Sequence, residues 1–117
     1  MNVKSLIQQM KLRPAMYVGK INLEVTFHFI NGFLYNNIIT DRVDNIDLAF
    51  KNQFDEWVKL TLEKKKNISF NEQRNLLFYI TQVCKSEEER LEMFFELCEE
   101  FFNQISKEET DTANYRS

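Results

Sequence analysis

The sequence predicts an all-α protein, folded as a compact single-domain bundle of about five helices. The chain has 117 residues, which suits one domain with one buried core. Two glycines and one proline are too few for the turns of a multi-stranded sheet. Apolar residues make up 44% of the chain and recur at helical spacing along most of its length.

The only proline separates the first two predicted helices. A stripe of Val3, Leu6, Ile7 and Met10 predicts a short helix that ends before Pro14. The residues from 13 to 19 then form a turn, since proline fixes its own φ and glycine accepts a positive φ.

Asn22 is expected to cap the second helix. Gly32 falls in the middle of this helix, and a glycine at such a position often lets another backbone approach closely. His28 lies in an apolar run and is expected to be a packed or hydrogen-bonded structural histidine and not a catalytic base. The side chains expected on the buried face are Leu23, Phe27, Phe29, Ile30, Phe33, Leu34 and Ile38.

A third helix is predicted from about residue 44 to residue 66, ending in three lysines that complement the helix dipole. Its solvent side is expected to carry two ion pairs, Asp47 with Lys51 and Asp55 with Lys59. The expected buried side consists of Ile46, Ala49, Phe50, Phe54, Trp57, Val58 and Leu60.

Two capping signals predict the starts of the fourth and fifth helices. They are Ser69 with Glu72, and Ser86 with Glu89. The fifth helix has the most regular apolar stripe and is expected at the centre of the core. Its stripe consists of Leu91, Phe94, Phe95, Cys98, Phe101, Phe102 and Ile105. The bundle domain is predicted over 1–106, followed by a polar, frayed tail over 107–117.

Charge is unevenly distributed along the chain. Residues 71–117 carry eleven acidic and five basic side chains. Glu89, Glu92, Glu96 and Glu99 fall on the solvent side of the fifth helix, where they form either an ordinary solvated face or a contact surface for a basic partner. An acidic face repels nucleic acid, so no direct nucleic-acid binding is expected.

The residues that catalysis requires are sparse. Cys84 and Cys98 fall on apolar faces and are expected to be core thiols, and one histidine with two cysteines provides no zinc pattern. We therefore expect no enzymatic activity, no cofactor and no metal. The chain has no apolar run long enough for a membrane span and no signal-peptide core at its start, which predicts a cytoplasmic protein.

The segment RPAMYVG, from Arg13 to Gly19, resembles the RPGMYIG stretch of gyrase-type ATPase domains. That family places a glutamate four residues before an asparagine in the next helix, and a DxGxG loop later. Here Asn31, Asn36 and Asn37 lack such a glutamate and the DxGxG loop is missing, which argues against nucleotide binding.

The chain as a whole is similar to small bacterial immunity proteins encoded beside polymorphic toxins, including contact-dependent growth inhibition and Rhs-type systems. Four segments carry this resemblance over about 95 residues. They are Leu6-Ile7, then Leu12 to Gly19, then FDEWV at 54–58, then FFELCEEF at 94–101. The chain departs from the pattern at Ala15, where glycine is usual, and at Phe70, where tryptophan is common.

The resemblance implies a protein that binds the C-terminal domain of a cognate toxin, often a nuclease. It implies neutralisation by stoichiometric binding, without a catalysed reaction. The expected state is a monomer or a 1:1 complex with the toxin. The candidate contacts are Glu89, Glu92, Glu96 and Glu99, with Arg13 and Tyr17 either anchoring the partner or pinning the turn to the bundle. The alternative is a helical adaptor that binds another host protein, with no toxin involved.

Overall fold

The computed structural model describes the backbone of residues 1–12 and 22–116, with side chains as far as Glu108. Its first helix, α1 (Val3–Leu12), buries all four predicted side chains, Val3, Leu6, Ile7 and Met10. The predicted turn from residue 13 to residue 19 lies outside the described residues.

The second helix, α2 (Leu23–Ile39), begins as predicted, because the Asn22 side chain accepts a hydrogen bond from the Val25 amide at 2.8 Å. Three expectations for this helix are wrong. Phe29 is 38% exposed, and the His28 side chain is 65% exposed. Among the described residues, no heavy atom lies within 4 Å of a Cβ built on Gly32, so none of their backbones approaches it.

The third helix, α3 (Asn45–Lys66), matches its predicted bounds, but Asp47 was misplaced on the solvent side. Its side chain is fully buried and receives the Val3 amide at 2.7 Å and the Asn37 side-chain amide at 3.3 Å. Asp47 also closes a capping box with Asp44. One carboxylate therefore joins the starts of α1 and α3 to the end of α2.

Two further acidic side chains of α3 receive backbone amides from the segment that follows. Asp55 accepts from Leu76 at 3.1 Å, and Glu63 accepts from Phe70 at 2.9 Å. Neither predicted ion pair of α3 forms. The Lys59 ammonium instead donates to Gln73 at 2.9 Å.

Leu60 was also predicted on the buried side of α3, but it is 56% exposed. The helix ends as expected after its three lysines, with Asn67 in the left-handed conformation as its C-cap.

The fourth helix, α4 (Leu76–Val83), begins later than predicted. Its cap is Asn75, which accepts the Phe78 amide, so the capping box proposed for Ser69 and Glu72 is wrong. The segment before α4 is held by the Tyr79 hydroxyl, which receives the Arg74 amide at 2.6 Å.

The fifth helix, α5 (Glu87–Arg116), supplies the centre of the core as predicted. Phe54 of α3 packs edge-on against Phe94 and Phe101, with ring centroids 6.3 and 5.1 Å apart. Phe50 and Trp57 of α3 also contact Phe101. The helix continues through Arg116, so the backbone over 107–116 is helical, whereas a frayed tail was expected.

The all-α fold is confirmed, with five helices in the described residues and α3 packed against α1, α4 and α5. Within those residues no helix combines the length and apolarity needed to cross a bilayer.

Candidate protein-binding surface

The first turn of α5 fixes the position of its glutamates. The Ser86 hydroxyl accepts the Glu89 amide at 3.1 Å, which confirms Ser86 as the capping residue. The Glu89 carboxylate in turn accepts the Lys85 amide at 3.2 Å. Acidic side chains are favourable at a helix N-terminus, so Glu89 has a structural role that is independent of any partner.

The acidic stripe is the set Glu89, Glu92, Glu96 and Glu99. These residues are spaced three, four and three apart, so they project from one side of α5, and all four are exposed. The structure thus brings the four predicted glutamates together on one surface.

The members of the acidic stripe differ in their contacts. Glu99 forms an ion pair with Lys11 of α1 at 3.2 Å, and the neighbouring Glu100 pairs with Lys65 at 2.7 Å. Glu92 and Glu96 form no hydrogen bond or ion pair with the described residues. These two carboxylates are therefore the most available for a basic partner.

An apolar groove runs beside the acidic stripe, between α1 and α5. It encloses about 350 Å³ and is lined by the apolar side chains of Ile7, Phe95 and Phe102. Lys11 and Glu99 stand at its edge, and their ion pair joins the two helices there. We call it the α1/α5 groove. Since Glu99 belongs to both features, the groove and the stripe form a continuous surface.

The two thiols are buried and free, as predicted. Burial raises the pKa of Cys98 well above its ordinary value. Burial also raises the pKa of Cys84, and the nearby Glu89 carboxylate adds to this effect. Both groups stay protonated at neutral pH, which makes them poor nucleophiles.

The other side chains considered from the sequence are a histidine, potential metal ligands and two proposed anchors. His28 lies on the surface of α2, 4.0 Å from Glu24, instead of in the core. No cluster of three or more metal-ligating side chains occurs in the described part of the chain. Arg13 and Tyr17, the two proposed anchors, lie outside the described residues.

The α1/α5 groove was not predicted from the sequence. It depends on residues far apart in the sequence, since Lys11 and Glu99 are 88 positions apart. The only local signals were two lysines seven residues apart on α1 and Phe95 at the edge of the apolar stripe of α5. Neither signal indicates that α1 and α5 lie side by side.

Comparison of the chain with models of known protein families, with curated proteins and with solved structures finds no match.

Proposed function

We propose that this protein is an immunity protein, which binds the C-terminal domain of a cognate toxin and neutralises it in a stoichiometric complex. The observation that carries the proposal is the exposed acidic stripe on α5, above all Glu92 and Glu96. The sequence resemblance supplies the kind of partner. The protein acts by occupying a surface of the toxin, without catalysing a reaction.

Charge complementarity supports a basic partner. Nuclease toxins carry basic surfaces for their substrates, and four aligned carboxylates attract such a surface over long distances. This attraction raises the association rate and makes it sensitive to salt. The same stripe repels nucleic acid, so the proposed partner is the protein and not its substrate.

The α1/α5 groove supplies the apolar contact that slows dissociation. Binding energy in protein interfaces is concentrated in a few side chains that fill desolvated pockets. Phe95 and Phe102 provide such a lining next to Glu99. The Lys11–Glu99 pair at the edge is more than half exposed. Exposed pairs contribute little stability, so a basic group of the partner can take the place of Lys11.

A rescue experiment tests this function. An immunity gene is expected directly downstream of a large toxin gene, and the protein is expressed in cells together with the C-terminal domain of the toxin found there. We expect restored growth and recovery of the two chains as one complex. A helical adaptor for another host protein would neither restore growth nor bind this domain, and that result would reject the proposal.

A specificity control completes the experiment. The same protein is expressed with the C-terminal domain of an unrelated toxin of equal net charge, and here we expect no rescue. Rescue of both cultures would show that charge alone acts, without the specific complex that we propose.

A further inference from the structure

The two sides of the α1/α5 groove differ in charge. The α1 side carries Lys4 and Lys11, with the uncharged Gln8 between them. The two lysines are seven residues apart, so they lie on the same side of α1, roughly 10.5 Å apart along its axis. The only charged side chain that lines the groove from α5 is Glu99. The groove therefore combines an apolar floor with two cations on one side and one anion on the other.

Lys4 and Lys11 differ in their contacts. The Lys11 ammonium pairs with the Glu99 carboxylate at 3.2 Å. The Lys4 ammonium forms no ion pair or hydrogen bond with the described residues, although Lys4 is half-buried. One of the two cations of the groove is thus neutralised within the chain, and the other is not.

The position of Lys4 in α1 gives it no role in forming that helix. Lys4 is the second residue of α1, where the helix dipole favours acidic side chains, and the first turn contains none. The helix is capped without it, since the Asn2 side chain accepts the Ser5 amide at 3.0 Å. The stability of α1 therefore does not account for a basic residue at this position.

We propose that Lys4 is a specificity-determining residue for the toxin domain. It selects a domain in which a carboxylate lies beside the apolar side chain that enters the α1/α5 groove. This role rests on the proposed function, in which Phe95 and Phe102 receive that side chain and a basic group of the toxin takes the place of Lys11 at Glu99. The toxin surface that fits the groove thus carries a base at Glu99 and an acid at Lys4.

Desolvation is the physical basis of this selection. A toxin side chain that fills the groove also covers part of Lys4, because Lys4 lines the same groove. Covering an ammonium group is unfavourable unless an acceptor or an opposite charge replaces the lost water. A carboxylate of the toxin at this point provides both, and a toxin domain without it binds more weakly.

Lys4 also acts against the wrong partners. Nuclease toxins have basic surfaces in common, so attraction to the acidic stripe does not distinguish one from another. Like charges that meet in an interface are unfavourable, and specificity often depends on such a repulsive contact. A uniformly basic surface would place a positive group against Lys4 and would be rejected.

Calorimetric titration at low salt tests the proposal with two toxin domains. One is the cognate C-terminal domain, and the other is the nuclease domain of an unrelated toxin with the same net charge. Lys4→Glu should weaken binding of the cognate domain about tenfold and should strengthen binding of the unrelated one. Neither a general effect of net charge nor a loss of fold produces opposite changes, since the first strengthens and the second weakens binding of both domains.

Two further variants are the controls. Lys51→Glu makes the same change in net charge on α3, outside the groove, and should slightly strengthen binding of both domains. Lys4→Arg keeps the positive charge and should bind the cognate domain as the wild type does.

The proposal is overturned if Lys4→Glu changes the affinity for both domains in the same direction, or leaves the affinity for the cognate domain unchanged. Toxin binding by the wild type would still stand after either result. If the wild-type protein does not bind the cognate domain, the proposed function is rejected and the role of Lys4 with it.

Discussion

Individual carboxylates of α3 stabilise the fold by accepting backbone amides from other segments. Asp47, Asp55 and Glu63 receive the amides of Val3, Leu76 and Phe70. Sequence periodicity placed the two aspartates on the solvent side, because charged residues are rarely buried without partners. The partners come from distant segments, so the sequence could not reveal them.

Replacement of Asp47 by alanine should lower the free energy of unfolding by about 3 kcal/mol. The change leaves the buried Val3 amide without its acceptor and removes one of the two acceptors of the Asn37 side-chain amide, which keeps the Met1 carbonyl. Hydrogen bonds to charged groups contribute about 1.5–3 kcal/mol each. Urea unfolding followed by the fluorescence of Trp57, the only tryptophan, measures this loss.

Lys51→Ala is the matched control for this measurement, since it removes an exposed charge from the same helix. Its expected effect is within about 0.5 kcal/mol. An equal effect of the two substitutions would show that Asp47 does not join α1 to α3.

The stability contribution of Asp55 should depend on pH. Burial raises the pKa of Asp55 above 3.8, although the Leu76 amide opposes this shift. Because the folded state holds this proton more tightly, ionisation of Asp55 reduces stability as pH rises from 3.8 to its raised folded pKa. Asp55→Asn removes this titration and keeps an oxygen that can accept the amide.

The unfolding free energy of Asp55→Asn should therefore increase relative to wild type as pH rises above 3.8, until Asp55 is ionised in the folded wild-type protein. Chemical denaturation at several pH values measures the difference. Asp55→Ala, which lacks the acceptor, should lose about 1 kcal/mol across this range. A difference between the asparagine variant and the wild type that falls with pH would contradict the assignment.

At the level of elements, the apolar periodicity predicted most of the fold. The bounds of α3 and the buried stripe of α5 follow from spacing alone, because each helix buries one face against the same core. The start of α4 was misplaced because Ser69 and Asn75 are both acceptable caps. Asn75 is the cap in the structure because the Asp55 carboxylate accepts the amide of Leu76, the first residue of α4.

The effect of Gly32 on the stability of α2 can be tested by substitution. Gly32→Ala should raise the free energy of unfolding by about 0.5–1 kcal/mol, because alanine favours the helix and the Cβ position is open. Thermal or urea unfolding measures the difference. A loss of stability would show that the Gly32 backbone has a packing role within the chain.

For the whole molecule, the fold could be predicted from the sequence more fully than the candidate site. The four glutamates of the acidic stripe were found because they lie on one helix, where spacing determines direction. The α1/α5 groove was not, because its two sides come from opposite ends of the described chain. Phe29 of α2 was predicted to be buried but is 38% exposed, because apolar character alone does not show which side of a helix faces the core.

The central claim is that the acidic stripe binds the toxin domain, and calorimetric titration of that domain into the protein tests it most directly. We predict saturation at one toxin domain per chain, with weaker binding as salt rises. Glu96→Lys should weaken binding by about tenfold at low salt. Glu108→Lys, the same charge change about three turns further along α5 and about 120° around it, should leave binding unchanged. Absence of binding, or equal effects of the two substitutions, would contradict the account.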